Sequence, residues 1–303
     1  MASAICCTLA VCLYAAPQPK QPGQKGFASP EEAAQALIQA AEGYDLPALL
    51  EILGPDSKDL VASEDLVADK NRAVAFAMLG RESHSAVVDP NDPRRAVLSV
   101  GNDDWPLPIP IVNRKGKWYF DATAGRQEIL FRRVGENELD AILVCRGFVE
   151  AQKEYALEKH DDSAVNQYAQ RIISTPGKHD GLAWQNADGG WDGPVGEDVA
   201  KALAQGYAVD KPPFHGYYFK VLKGQGPAAP LGEMNFVVEG AMIGGFALAA
   251  APAQYKVTGV KTFIVGSDGI VYQKDLGSDG LTTFGNMELY NPDKNWSRTD
   301  EEE

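Results

Sequence analysis

A long helical pattern separates two groups of short β-strand patterns in this sequence, and that order leaves few folds open. Apolar residues recur at helical spacing through residues 137–159 (NELDAILVCRGFVEAQKEYALEK), and Asn137 is the expected N-cap. Helical patterns followed by a meander of strands precede this segment, and glycine-rich strands follow it. Helices and then antiparallel strands are the order of an α+β protein. We therefore predict N-terminal helices on a curved antiparallel sheet, then a long helix with a second antiparallel sheet.

Local sequence signals predict where individual helices and strands begin and end. Ser29-Pro30-Glu31-Glu32 predicts a helix start, with Ser29 as the N-cap and proline in the first turn. A break at residues 43–45 leads to a second helix, and a third is expected to end at Gly80. The runs SHSAVVD, RAVLSVG, LPIPIVNR and KWYFDA predict strands, and TFIVGSDGIVYQ predicts a hairpin.

The length of 303 residues favours two domains. We place them at residues 27–135 and 136–291, after a signal-like segment and flexible spacer at 1–26 and before an acidic tail at 292–303. The first sixteen residues carry no charge, and PQPKQPGQKG follows them. That apolar run is shorter than the roughly 20 residues of a membrane span, so it resembles a secretory signal. We expect an exported protein, periplasmic or membrane-tethered, with the cleavage site and lipidation of Cys12 left open.

The net charge, the cysteine content and the hydropathy of the sequence argue against several classes of protein and of metal site. A net charge of −14 argues against nucleic-acid binding, which needs clustered Lys and Arg. Beyond the signal-like segment the sequence holds one cysteine, Cys145, so no disulfide framework or cysteine-based metal site is expected. No later segment has the apolar length of a transmembrane helix.

Long stretches of the sequence resemble one bacterial family. They are GKWYFDATAGRQEIL, STPGKHDGLAW, PFHGYYFKVLKGQGPAAP and TGVKTFIVGSDGIVYQKDLG. On these the chain is identified as a member of the family catalogued as domain of unknown function 2950, from about Phe27 to Leu289. Ala183 stands where the family tends to have an aromatic residue. The resemblance implies an exported envelope protein and brings no established activity.

Two weaker resemblances concern the architecture. The first half is similar to cone-shaped domains of the nuclear-transport-factor-2 type, in which helices pack on a curved sheet. The second half resembles the periplasmic domain of a pilin or pseudopilin, which has a long helix, a variable loop and a sheet ending in a hairpin. Glu150, Lys153 and Glu154 in the helix depart from a membrane-inserted pilin stem.

His179, Asp180 and His215 are the candidate catalytic residues. If PFHGYYF approaches STPGKHDGLAW in space, two histidines with Asp180 or Asp268 would form a zinc or iron set. The alternative is structural, because Pro-Gly and Asp-Gly pairs are turn signals. His215 would then simply stack on the aromatic strand.

Acidic, glycine-rich loops are the candidate calcium sites. Asp275 and Asp279 follow the last hairpin strand, and calcium favours such oxygen-rich loops. A second acidic loop offers four more carboxylates, at Asp188, Asp192, Glu197 and Asp198. The alternative is that these Asp-Gly pairs only form turns. No cofactor is predicted, with calcium and zinc as the alternatives.

Aromatic residues around the second sheet are the candidate binding residues. Trp184, Trp191, Tyr217 and Tyr218 lie close together in sequence. Exposed, they would suit a glycan or a peptide; buried, they would form the core of a small sheet. Both alternatives stay open at this stage.

The sequence holds no serine-nucleophile, zinc-protease or phosphate-loop motif. We therefore expect an envelope protein with a non-catalytic scaffolding or partner-binding role, the partner being an envelope protein or a glycan. The alternative is a small-ligand-binding protein or a metal-dependent hydrolase using His179, Asp180 and His215. In the first half the weaker candidates are Trp105, Trp118 and Asp121.

Overall fold

The computed structural model describes residues 23–204, residue 207 and residues 213–299, and it has the predicted α+β fold. The helices are α1 (Pro30–Glu42), α2 (Leu46–Leu53), α3 (Lys58–Val61), α4 (Leu66–Glu82), α5 (Ala122–Tyr155), α6 (Gly196–Ala204) and α7 (Gly280–Gly285). Within these described ranges, no helix is both long enough and apolar enough to cross a membrane. The signal-like residues 1–22 and Cys12 lie outside the described residues.

The first helices begin where their caps predict. The Ser29 hydroxyl accepts a hydrogen bond from the Glu32 amide at 3.1 Å, and the Asp45 carboxylate accepts one from the Ala48 amide at 3.1 Å. Each cap satisfies an amide that has no partner within its helix.

Gly80 does not end α4, as the sequence predicted, because the helix continues to Glu82. A Cβ atom at Gly80 would lie 2.7 Å from the Ile38 side chain. This glycine therefore lets α1 and α4 approach each other and has no role in stopping the helix.

The first sheet is antiparallel throughout. Its strands are β1 (His84–Asp89), β2 (Asp92–Val100), β3 (Trp105–Pro106), β4 (Ile111–Arg114) and β5 (Lys117–Phe120). The order is β1-β2-β4-β5, with β3 paired to β2. Leu98 and Ile111 face the helices α1 and α2 in one buried cluster, so the helices cover this sheet as predicted.

The long helix α5 starts fifteen residues earlier than predicted, at 122 instead of 137. Asp121 is its N-cap and accepts a hydrogen bond from the Ala124 amide at 3.2 Å. Asn137, the expected cap, is buried in mid-helix. Ala122 belongs to the first core and Ala141 to the second, so the expected boundary at 135/136 falls within a helix that both cores share.

The second sheet is also antiparallel. Its order is β16-β15-β14-β13-β8, formed by β8 (Tyr217–Leu222), β13 (Ala247–Pro252), β14 (Lys261–Gly266), β15 (Val271–Asp275) and β16 (Ser297–Arg298). The predicted hairpin is β14–β15. Three two-stranded pairs surround this sheet, built from β6 (Trp184–Gln185), β7 (Trp191–Asp192), β9 (Gly224–Gln225), β10 (Met234–Asn235), β11 (Val237–Val238) and β12 (Ala241–Met242). The helix α5 packs on β13, β14 and β15.

The expected acidic tail overlaps this sheet. Residues 297–298 form the edge strand β16, in which Ser297 pairs with Gln273 of β15. Backbone pairing therefore holds residues 297–298 of the expected tail in the sheet. Residues 300–303 lie outside the described part of the chain.

Candidate functional site

Asp180 stabilises a turn in the STPGKHDGLAW loop. Its carboxylate accepts hydrogen bonds from the Thr175 amide at 2.7 Å and the Thr175 hydroxyl at 2.8 Å. Partial burial would raise the Asp180 pKa, but these bonds and the charge of Arg171 outweigh it and hold the pKa below its usual value. The carboxylate is thus engaged within its own loop.

His179 points away from Asp180 and pairs with Asp161. Its Nδ1 lies 3.1 Å from the Asp161 carboxylate, which also accepts the His179 amide at 2.9 Å. The ring meets Trp184 edge-on at 4.7 Å between centroids. The Tyr155 hydroxyl donates to the His179 carbonyl, which ties the loop to the end of α5.

His215 lies beside a different part of α5 from His179. Its Nδ1 is 2.6 Å from the Asp140 carboxylate, and its ring stacks on Phe214 at 4.2 Å. Asp140 and Tyr155, which contact the two histidine loops, are separated by fifteen helical residues, or about 22 Å of helix. The structure therefore does not bring His179 and His215 together.

The candidate calcium ligands hold local turns. Asp275 accepts the Gly277 amide at 2.8 Å and the Tyr255 hydroxyl at 3.2 Å, and the Asp279 carbonyl accepts the Thr283 hydroxyl. Asp188, Asp192, Glu197 and Asp198 have local partners too, at Gly190, Gly193 and Lys201. Within residues 23–204, 207 and 213–299, no group of three or more His, Cys, Asp or Glu side chains could hold a metal ion.

The candidate aromatic residues divide between the core and two small strands. Tyr217 is fully buried, and its hydroxyl donates to the Lys261 carbonyl at 2.9 Å. Tyr218 is partly buried against the same core. Trp184 and Trp191 are partly buried on the pair β6–β7, so these residues do not form one exposed surface.

In the first half, Trp105 lines a cavity, whereas Trp118 packs on the core and Asp121 caps α5. The cavity has a volume of about 250 Å³. Most of its wall is apolar and comes from α1, α2, α3, α4, α5 and the segment 105–109: Leu37, Ala41, Leu49, Leu53, Leu60, Val61, Ala73, Phe76, Leu107, Pro108, Ile109 and Ile129. Arg132 lies over the Trp105 ring at 4.8 Å, and both side chains are exposed.

Charged residues form one part of the cavity lining. Asp69 Oδ1 lies 3.7 Å from Arg72 Nη1 and 3.9 Å from Arg133 Nη1, so two guanidinium groups share one buried carboxylate. Burial lowers the Arg133 pKa and Asp69 opposes that change, but arginine remains protonated at neutral pH. Burial, with Asp69 nearby, raises the Tyr44 pKa to about 12, so this phenol in the cavity wall is neutral.

The same residues connect the cavity to the second sheet. Arg133 Nε donates to the Val257 carbonyl at 3.1 Å, and the Asn137 amide donates to the Thr258 carbonyl at 2.7 Å. One helical turn from Asp69, the Asp65 carboxylate accepts the Gly216 amide at 2.8 Å. This layer of buried polar contacts joins α4 and α5 to the start of β8 and the loop before β14.

Sequence reasoning did not identify this group. Asp65, Asp69 and Arg72 lie in the pattern of α4, and Arg133 lies 64 residues after Asp69. One signal was present: Asp65, Asp69 and Arg133 are charged residues at buried positions in or next to these helices. The sequence does not show that α4 and α5 cross, so it does not reveal which residue each of these charged side chains contacts.

Comparison with known families agrees with the motifs. The model of a family described as "Protein of unknown function (DUF2950)" matches residues 24–299. The chain belongs to the DUF2950 family. The matched range includes the cavity, the STPGKHDGLAW loop and both sheets, which confirms the membership predicted from sequence. Neither a curated protein nor a solved structure matches the chain.

The STPGKHDGLAW loop of this family member gives a prediction about pH. A lowered Asp180 pKa adds stability that is present above the unfolded value of about 3.9 and is lost as the pH falls through the folded pKa. Asp180→Asn should therefore lower the free energy of unfolding by roughly 0.5 kcal/mol at pH 7, a small value because the carboxylate is partly exposed. The difference from wild type, measured by urea unfolding, should shrink as the pH is lowered below the unfolded value of about 3.9.

His179→Ala is the control for that measurement. Its ring makes a half-exposed contact with Asp161, which is worth little in solvent. An equal loss at pH 7 and pH 3 for Asp180→Asn would contradict the assigned role of this carboxylate.

Proposed function

We propose that the protein is an exported, non-catalytic binding protein that holds a small, mainly apolar ligand in the cavity of its first half. The observation that carries this proposal is the cavity itself, with its mainly apolar wall and a few charged groups in the lining. That combination is typical of small-molecule sites. The acids in the lining, Asp69 and Glu136, are paired with arginines, which favours a binding role over acid–base chemistry.

The volume limits the size of the ligand. An engineered apolar cavity of about 150 Å³ accommodates benzene. By proportion, the volume of about 250 Å³ suits a ligand of about ten non-hydrogen atoms. The exposed residues of the lining are Trp105, Arg132 and Glu136, so the proposed entrance lies beside them.

The proposal includes architecture and location. We assign the first half to the cone-shaped nuclear-transport-factor-2 type, since helices cover an antiparallel sheet beside a pocket. We relate the second half to pilin periplasmic domains, since a long helix packs on an antiparallel sheet with a β14–β15 hairpin. The uncharged first sixteen residues support export, to the periplasm or to a membrane tether.

Octan-1-ol, a neutral ligand of suitable size, tests the proposed site by isothermal titration calorimetry. Ala73 lines the cavity on α4, whereas Ala75 on the same helix is exposed. Ala73→Leu should fill part of the cavity and weaken binding about tenfold or more, since each lost apolar contact in a small site costs about a factor of ten. Ala75→Leu should leave the affinity unchanged.

The two variants also separate loss of the site from loss of the fold. Both should unfold within about 1 kcal/mol of wild type in urea, because one fills empty space and the other faces solvent. Absence of octanol binding to the wild type, or equal binding by Ala73→Leu, would refute the proposal.

A further inference from the structure

Three buried hydrogen-bond donors beside the cavity have no hydrogen-bond partner among the residues that the structure describes. They are Arg72 Nη1 and both terminal nitrogens of Arg133. Arg133 is only 4% exposed, so water does not reach these atoms from outside. Leaving donors of a charged group unpaired in the interior is costly, and such groups in folded proteins normally have partners.

Three carboxylates lie near these donors, and each of them already has other partners. The Asp69 carboxylate is the buried acid between the two guanidinium groups, and its Oδ2 already accepts the Ser63 amide. Glu136 pairs with Arg72 Nε at 2.9 Å but is exposed and screened by solvent. Asp65 has its oxygens committed to the Ala68 and Gly216 amides and the Tyr207 hydroxyl. The guanidinium groups of Arg72 and Arg133 therefore share one buried carboxylate, and the second acid on Arg72, Glu136, faces solvent.

The position of the donors relative to the apolar wall defines the ligand's shape. Arg72 and Arg133 line the same cavity as Leu37, Leu53 and Phe76. A ligand that fills this space contacts apolar carbon over most of its surface and guanidinium groups where Arg72 and Arg133 line the cavity. A molecule with an apolar chain and a terminal anion satisfies both parts.

We infer that the ligand is a small amphipathic carboxylate whose head group binds the guanidinium groups of Arg133 and Arg72 and whose chain occupies the apolar cavity. A carboxylate matches a guanidinium group with two parallel hydrogen bonds. This assignment rests on the proposed function, because it names the chemical class of the ligand in that cavity.

Octanoate and octanamide form the test pair. They have the same chain and the same number of non-hydrogen atoms, and they differ in the charge of the head group. Binding to the full chain is measured by calorimetry at pH 7. We expect octanoate to bind about tenfold or more tightly than octanamide, because hydrogen bonds to charged groups contribute more than neutral ones.

Arginine variants locate the preference. In Arg133→Gln the ratio of the two affinities should fall close to one, while octanamide binding changes less than about threefold. Arg72→Gln, at a more exposed position, should reduce the ratio in the same direction. Arg146→Gln is the matched control, since Arg146 is an exposed arginine on the same helix and does not line the cavity.

The outcomes separate this inference from the proposed function. Equal binding of octanoate and octanamide by the wild type overturns the carboxylate assignment and leaves the octanol-binding cavity in place. A preference for octanoate that survives in both Arg133→Gln and Arg72→Gln also overturns it. If Arg133→Gln does not fold, the wild-type ligand pair and Arg72→Gln still decide. If octanol, octanoate and octanamide all fail to bind, the proposed function itself fails.

Discussion

Asp65→Ala is expected to lower the free energy of unfolding by about 3 kcal/mol, a large fraction of the stability of an ordinary domain. The carboxylate is 2% exposed and caps α4 through the Ala68 amide at 2.9 Å. It also accepts the Gly216 amide at 2.8 Å and the Tyr207 hydroxyl at 3.0 Å. Loss of a cap costs about 1 kcal/mol, and each buried donor left without a partner adds about 1 kcal/mol or more.

Asp45→Ala is the matched control, because the exposed Asp45 carboxylate caps α2 in the same way, through a hydrogen bond from the Ala48 amide. It should cost about 1 kcal/mol. The measurement for both is urea unfolding followed by far-UV circular dichroism. If the two variants were equally destabilised, Asp65 would be acting as a helix cap alone, and its contacts to the second half would carry no stability.

The elements of this fold that the sequence predicted are those set by neighbouring residues. The caps at Ser29 and Asp45 depend on contacts within three residues, and the β14–β15 hairpin is set by its short turn at residues 266–269. Turn chemistry also explains why His179 and Asp180 were ambiguous. An Asp-Gly pair beside a histidine is consistent both with a turn and with a catalytic pair until the partner of each side chain is known.

The elements that were missed depend on distant contacts. The first turns of α5 follow β5 directly, and their packing on the first core is not visible in the local pattern. Arg133 and Asn137 are charged or polar residues inside a helix, which sequence analysis assigns to solvent by default. Contacts to distant residues favour their burial: Val257 and Thr258 lie more than a hundred residues away, and Asp69 and Arg72 lie on α4.

The second large effect is expected at Gly125, in the first turn of α5 that the sequence did not predict. A Cβ atom there would lie 2.8 Å from the Ile109 Cα and 2.8 Å from the Pro108 carbonyl oxygen. These are backbone atoms, so they cannot move aside as a side chain would. Gly125→Ala should therefore lower the free energy of unfolding by about 1–3 kcal/mol, despite the better helix propensity of alanine.

Gly147→Ala in the same helix separates the two effects, because a Cβ at Gly147 has nothing within 4 Å. It should raise the free energy of unfolding by up to about 1 kcal/mol. Opposite signs for the two substitutions in urea unfolding would show that α5 is held against the 108–109 segment by backbone contact.

Pro108 and Ile109 also line the cavity, so Gly125→Ala should weaken octanol binding while Gly147→Ala leaves it unchanged. If Gly125→Ala were instead more stable than wild type, the 108–109 segment would be able to move away from the new Cβ atom at little cost in free energy.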